Sequence, residues 1–144
     1  MENPIAKESH KEIIQKAKQN YKELGRFWSP ALNDYVVFNN VGFTHILRKH
    51  GVPRPKTEQK RRLALLNDVV EILTDKDVML IHQEKFSQRS IHRDGKKATE
   101  LKRAHVWKFV KEKDGKNIKV IVRQFEGGTK HFYSVYAKQQ KTAQ

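Results

Sequence analysis

The stretch AHVWKFVKEKDGKNIKVIVRQFEGGTKHFYSVYAK, residues 104–138, contains three runs of β-forming residues: about Ala104–Glu112, Asn117–Phe125 and Lys130–Lys138. Asp114-Gly115 separates the first pair of runs and Gly127-Gly128 the second. Both dipeptides supply the left-handed backbone that a tight hairpin turn requires. The spacing predicts a meander of antiparallel strands. Side chains alternate faces along a strand. In the first, Val106, Lys108 and Val110 share one face, and His105, Trp107, Phe109 and Lys111 the other. In the second, Ile118, Val120 and Val122 oppose Lys119, Ile121, Arg123 and Phe125. In the third, Phe132, Ser134 and Tyr136 oppose His131, Tyr133 and Val135. Each strand offers one mostly apolar face to helices and one face where aromatics stand among cations. Such a mixed face suits nucleic acid, with rings for bases and charges for phosphates. The plain alternative is a solvated outer face whose lysines discourage edge pairing.

The helices that would cover the apolar face lie upstream. Ile13, Ile14, Ala17, Tyr21 and Leu24 form one stripe over about Lys7–Leu24, with Gly25 as a stop. Leu63, Leu66, Val70 and Leu73 recur at helical spacing after Thr57, a candidate cap. Arg61 and Arg62 stand at the exposed start of this scaffold helix. Phe27 and Trp28 before Pro30 read as an aromatic-anchored turn, Asp34–Asn39 as a short strand and Val52–Lys56 as a stiff extended linker. Val78–Ile81 suits a buried strand. Glu84–Leu101 is polar, with Asp94-Gly95 as a turn signal, and reads as a loop or ragged hairpin. Together these predict an α+β domain, with N-terminal helices packed on an antiparallel sheet of about four strands. Residues 1–33 are expected to form a helical arm, 34–138 the domain, and 139–144 a frayed polar tail.

The chain has 144 residues, enough for one domain with a buried core. Lys and Arg number 30 against 16 acids, a formal charge of +14. That excess bears on partners rather than fold, and nucleic acid is the first polyanion to expect. An anionic membrane surface or an acidic protein is also compatible. There is no cysteine, which removes disulfides and thiolate metal sites. No apolar run suggests a signal peptide, and none approaches the roughly 20 residues of a membrane span. A soluble, cytoplasmic protein with no membrane partner is expected.

The candidate chemistry begins in Val41-Gly42-Phe43-Thr44-His45-Ile46-Leu47-Arg48-Lys49-His50-Gly51. It reads as one short helix, N-capped by Asn39 or Asn40 and closed by Gly51, with Val41, Ile46 and Leu47 turned inward. On that helix His45 neighbours Arg48 and Lys49. His50 lies about 140° round the axis from His45, at about 100° per residue, so both imidazoles reach one site only if the helix end unwinds. A capped surface helix with basic residues suited to its dipole is the alternative. No zinc-binding histidine pair, clustered carboxylates, phosphate-cradling glycine loop or serine elbow is present, so neither metal nor cofactor is expected. Histidine, arginine, lysine, serine and tyrosine in a basic setting suit metal-free cleavage of RNA. That reaction needs a base for the 2′-OH, a cation for the charge growing on phosphate, and an acid for the leaving oxygen.

The order of elements resembles the phage-associated nuclease-like domains of the barnase–EndoU–colicin–RelE superfamily. The resemblance is carried by the His45–His50 segment, the Val70–Val78 helix end and the Ser134-Val135-Tyr136 ending, and it spans about Asp34 to Tyr136. It implies a metal-independent endoribonuclease, often a toxin, built from helices on an antiparallel sheet of about four strands. His45 falls at the family's helix histidine, with His50 the second candidate. Lys108 or Arg123 would be the strand cation, and Ser134 with Tyr136 the hydroxyl position. Alternation turns Lys108 toward the apolar side with Val106 and Val110, which favours Arg123; a bulge would reverse such assignments.

The expected function is therefore endoribonuclease action on RNA, with tRNA or ribosome-bound message among the candidate targets, as a toxin or phage-borne effector. The expected catalytic set is His45, His50, Arg123, Ser134 and Tyr136. Arg48, Lys49, Trp107, Lys108, Lys119 and His131 are expected to contact nucleic acid. If the protein is toxic, the charge also implies an acidic immunity or antitoxin partner. Two other classes stay open: a non-catalytic nucleic-acid-binding module on the same fold, and a basic phage protein that binds a host protein. Salt separates these two, because phosphate-driven binding falls steeply with salt.

Overall fold

Both hairpin signals of residues 104–138 form turns in the computed structural model, which describes residues 9–139. Among the described residues three helices and eight strands follow one another: α1 (His10–Leu24), β1 (Arg26–Ser29), β2 (Asp34–Val37), α2 (Asn40–Leu47), β3 (Arg48–Lys49), β4 (Val52–Pro53), α3 (Lys56–Thr74), β5 (Met79–Arg93), β6 (Lys96–Lys113), β7 (Lys116–Phe125) and β8 (His131–Gln139). The architecture is α+β. The sheet is larger than the four antiparallel strands expected: six strands in the order β1-β2-β8-β7-β6-β5. It is also mixed, because β2 runs parallel to β8 through the pair Val37 and His131. No helix among the described residues is long and apolar enough to cross a membrane.

Local chemistry explains most element ends. Ser9 caps α1 by accepting the Glu12 amide at 3.2 Å. Asn39 caps α2 by accepting the Val41 amide at 3.1 Å. Thr57 does not cap α3; it lies inside a helix that starts at Lys56 after Pro55. The start expected at Lys7 and the tail at residues 140–144 lie outside the described residues, and Gln139 ends β8.

One core lies between the helices and one sheet face. Tyr21, Phe43, Ile46, Leu63, Val69, Ile72 and Leu73 meet Phe109, Val120, Val122, Phe132 and Val135 there. Burying side chains of this size contributes roughly 1.5–3 kcal/mol each before entropy is counted. Residues 10–29 belong to the same body: Tyr21 is buried in the core, and β1 pairs with β2 over four residues. Residues 26–29 are therefore a strand, not the aromatic turn expected. Gly42 sits where a Cβ would lie 2.5 Å from the Phe132 carbonyl oxygen and 2.7 Å from the Tyr21 hydroxyl, so only glycine lets α2 approach β8 this closely.

Two expectations about faces are corrected. On β6 the Trp107 and Phe109 side turns to the core, and the Val106, Lys108 and Val110 side turns away from it. The aromatic rings remove more apolar surface from water than the valines do. On β8 the register shifts between Ile121 and Val122: Ser134 opposes Ile121, Phe132 opposes Val122, and Tyr133 is the extra residue of a bulge. Phe132 and Val135 both reach the core in consequence, and Ser134 and Tyr136 share the opposite face with Lys108.

The segment after Val78 also differs. β5 is an edge strand, and Met79 and Ile81 are exposed rather than buried. Of the two readings of Glu84–Leu101 the hairpin holds and the loop does not: β5 and β6 pair continuously from Met79 with Val110 to Arg93 with Lys96, closed by Asp94 and Gly95 at φ 51° and 73°.

Candidate functional site

Helix α2 ends at Leu47, one turn earlier than its sequence suggests. Arg48 is already extended, at φ −136° and ψ 151°. Arg48 and Lys49 pair with Pro53 and Val52, and His50 and Gly51 form the two-residue turn at φ 52° and 76°. Left-handed backbone at both positions is what such a turn requires. Gly51 is thus a hairpin residue and not a helix cap. The last helical carbonyl, that of Leu47, accepts from the Arg54 amide at 2.8 Å and from Gln59 Nε2 at 2.9 Å. This early unwinding brings His50 to a hollow that His45 also lines.

His45 projects from α2 with its ring centroid 4.3 Å from that of Tyr133, the bulge residue. Three adjoining hollows share His45 and Tyr133. The first is also walled by Arg54, Arg62, Lys85, Lys108, Ser134 and Tyr136. The other two are bounded by His50 and by Gln88, Arg89 and Ser90 of β5. Among the described residues, no aspartate or glutamate lines any of the three.

Arg54 Nε donates to the His45 carbonyl at 3.0 Å, and its Nη2 lies 3.5 Å from His45 Nδ1. Burial, and then the Arg54, Arg62 and Arg123 guanidiniums and His50, hold the His45 imidazole down to about 4. Low-dielectric surroundings and like charge both oppose protonation. His45 is therefore neutral at pH 7.

Arg62 donates to Ser134 Oγ at 3.1 Å and to the Val135 carbonyl at 3.3 Å, and pairs with Glu58 at 2.9 Å. Its guanidinium and the Lys119 ammonium both approach the Tyr136 ring, at 5.9 and 5.8 Å.

Arg123 is buried, with its guanidinium 4.1 Å from the Tyr133 ring and 4.6 Å from the Phe125 ring. Its Nε donates to His131 Nε2 at 3.1 Å and its Nη1 to Ser87 Oγ at 3.2 Å. His131 is likewise buried, and burial with the Arg123 charge holds it down to about 4. It keeps a lone pair for Arg123 and orients that side chain.

The structure brings together most of the residues singled out from sequence. His45, His50, Arg123, Ser134, Tyr136, Lys49 and Lys108 all line these hollows. Arg48 lines one and donates to the Gly51 carbonyl at 3.0 Å. Three residues fall elsewhere. Lys119 lines none of the hollows and reaches only the Tyr136 ring. His131 is covered and serves Arg123 rather than a surface. Trp107 packs on the core side of β6, stacked with His82 and His105 and overlain by Lys130. Arg54, Arg62 and Tyr133 were not among the expected site residues; Arg62, read as lying at the exposed start of a scaffold helix, has only 13% of its side chain exposed. Among the described residues, no three His, Asp or Glu side chains are placed to hold a metal ion. No family model, curated protein or solved structure matches the chain.

Proposed function

We propose that the protein is a metal-independent endoribonuclease that cleaves RNA through attack of a 2′-hydroxyl on the adjacent phosphate. One observation carries this reading: a neutral histidine stands where three hollows meet, arginines and lysines wall them, and among the described residues no carboxylate lines them. A phosphodiester is the ligand that such a cleft suits. His45 takes the 2′-OH proton as the O2′–P bond forms. The P–O5′ bond breaks, and His50 supplies the proton to the leaving oxygen, giving a 2′,3′-cyclic phosphate and a 5′-hydroxyl. Arg54 and Arg62 receive the phosphate oxygens, and their charge is offset when phosphate binds. Part of the charge that, after burial, depresses His45 in the free protein is then neutralised, and its basicity rises. Arg123, beneath Tyr133, positions that ring and adds to the field. An active ribonuclease of this charge would call for an acidic inhibitor covering the cleft, in keeping with a toxin or phage-borne effector.

The test is total RNA incubated with purified protein in excess chelator, beside a His45→Ala variant. Discrete fragments from the wild type alone support the reading. Intact RNA in both lanes, with a salt-sensitive mobility shift, would leave a nucleic-acid-binding module instead.

A further inference from the structure

The β5–β6 hairpin outruns the sheet. β7 pairs with β6 only from Ala104 to Lys113, whereas β5 pairs with it to Lys96. The distal half, from Lys85 and Ala104 to the Asp94-Gly95 turn, is a free two-stranded ribbon. At about 3.3 Å per residue it extends roughly 26 Å. The register fixes what each side displays. One side carries Lys85, Arg89, Arg93, Lys96 and Lys102, with Glu100 the single acid, bound to Arg89 at 2.6 Å. This side is continuous with the sheet face that holds Lys108 and Arg123. The root of the ribbon is already part of the cleft: Ser87 bonds Arg123, and Gln88, Arg89 and Ser90 line the hollow shared by His45 and His50.

We infer that this arm holds the double-helical stem of a structured RNA whose scissile phosphate lies at His45. The inference rests on the RNA reading of the cleft and adds the substrate's shape. The charge is complementary to a phosphate backbone, and it leads away from the cleft. The absence of rings on this side decides between a stem and a single strand. Between Lys85 and Ala104, its other members are Ser87, Ile91 and Ala98. Single-strand binders use aromatic platforms for unstacked bases, whereas duplex RNA keeps its bases stacked and is gripped by backbone and shape. The rings nearest the reaction, Tyr133 and Phe125, lie in the cleft, where an unpaired nucleotide at the stem's end would meet them. Arg93 and Lys96, paired at the tip, are the outermost contacts.

The experiment is binding, made independent of cleavage by 2′-O-methyl RNA, which lacks the attacking hydroxyl. A stem–loop and an unstructured RNA of equal length are titrated against the wild type and an Arg93→Glu, Lys96→Glu double variant. The wild type should prefer the stem–loop. The variant should bind the stem–loop about tenfold more weakly, with a salt slope lower by about two, and lose the preference. Unchanged folding, read by its melting curve, assigns that loss to the surface. Equal wild-type affinity for both RNAs, or an unaltered variant, overturns the inference. A cleft that binds stem–loops without cutting any RNA would leave the arm standing and remove the ribonuclease reading.

Discussion

His45 shows how one residue's surroundings set its chemistry. Its pKa, about 4 against the ordinary 6.5, arises from burial first and then from three arginines. Removing Arg54, the first of those charges, should raise it. A proton NMR titration of an Arg54→Ala variant should show the His45 ring titrating well above the wild-type ring; an unchanged midpoint would mean that Arg54 is not felt. Gly42 makes a second residue-scale prediction. Its missing Cβ would meet a backbone oxygen that cannot move cheaply, so Gly42→Ala should lose about 1–3 kcal/mol in urea denaturation. Histidine, serine and the strand cation were legible in the sequence because their types are few and their chemistry is plain. Arg62 was not, because helical spacing shows a surface arginine and cannot show that Ser134 and Tyr136 of β8 lie beneath it.

At the scale of elements, the decisive features are short irregularities. The His50-Gly51 turn re-aims His50, and the Tyr133 bulge divides β8 between core and cleft. A Gly51→Ala change meets open space but keeps a left-handed backbone, at a cost of about 1–2 kcal/mol. Because the β3–β4 ladder spans only two pairs, that strain should open the turn locally. We expect the melting temperature to hold within a few degrees while kcat/KM for RNA falls; equal kcat/KM would remove His50 from the reaction. The strands after residue 104 were readable because turn chemistry and alternation are local signals. β1 is four residues long, and the β2–β8 pairing joins distant segments, so neither leaves a local trace. The bulge followed no residue signal at all; alternation alone assigned Tyr133 and Val135 to one face, and only core packing separates them.

Taken as a whole, the molecule holds two imidazoles, half-buried His45 and buried His131, beside cations. Their folded pKa values lie near 4 and their ordinary ones at 6.5, so between these limits the unfolded chain binds more protons. Stability is therefore full above about pH 6.5 and falls as pH drops toward 4. Asp34, Glu71 and Asp75, held below the usual carboxylate range chiefly by the Lys130, Lys113 and Asp77 hydrogen bonds respectively, add their loss at lower pH still. Thermal melts from pH 7.5 to 4.5 should show the decline, and a His131→Gln variant a shallower one. A flat profile would mean that these histidines are not shielded as described. The proposed ribonuclease reading rests on a depressed histidine, His45, in a cleft that no described carboxylate lines, and cleavage through the 2′-hydroxyl is the property to measure first. One RNA sequence is made twice, as ribose and fully 2′-O-methylated, and each is incubated with the protein in chelator. The ribose form should be cut, leaving cyclic phosphate ends, while the methylated form stays whole. Cutting of both, or of neither, would contradict a histidine-driven ribonuclease.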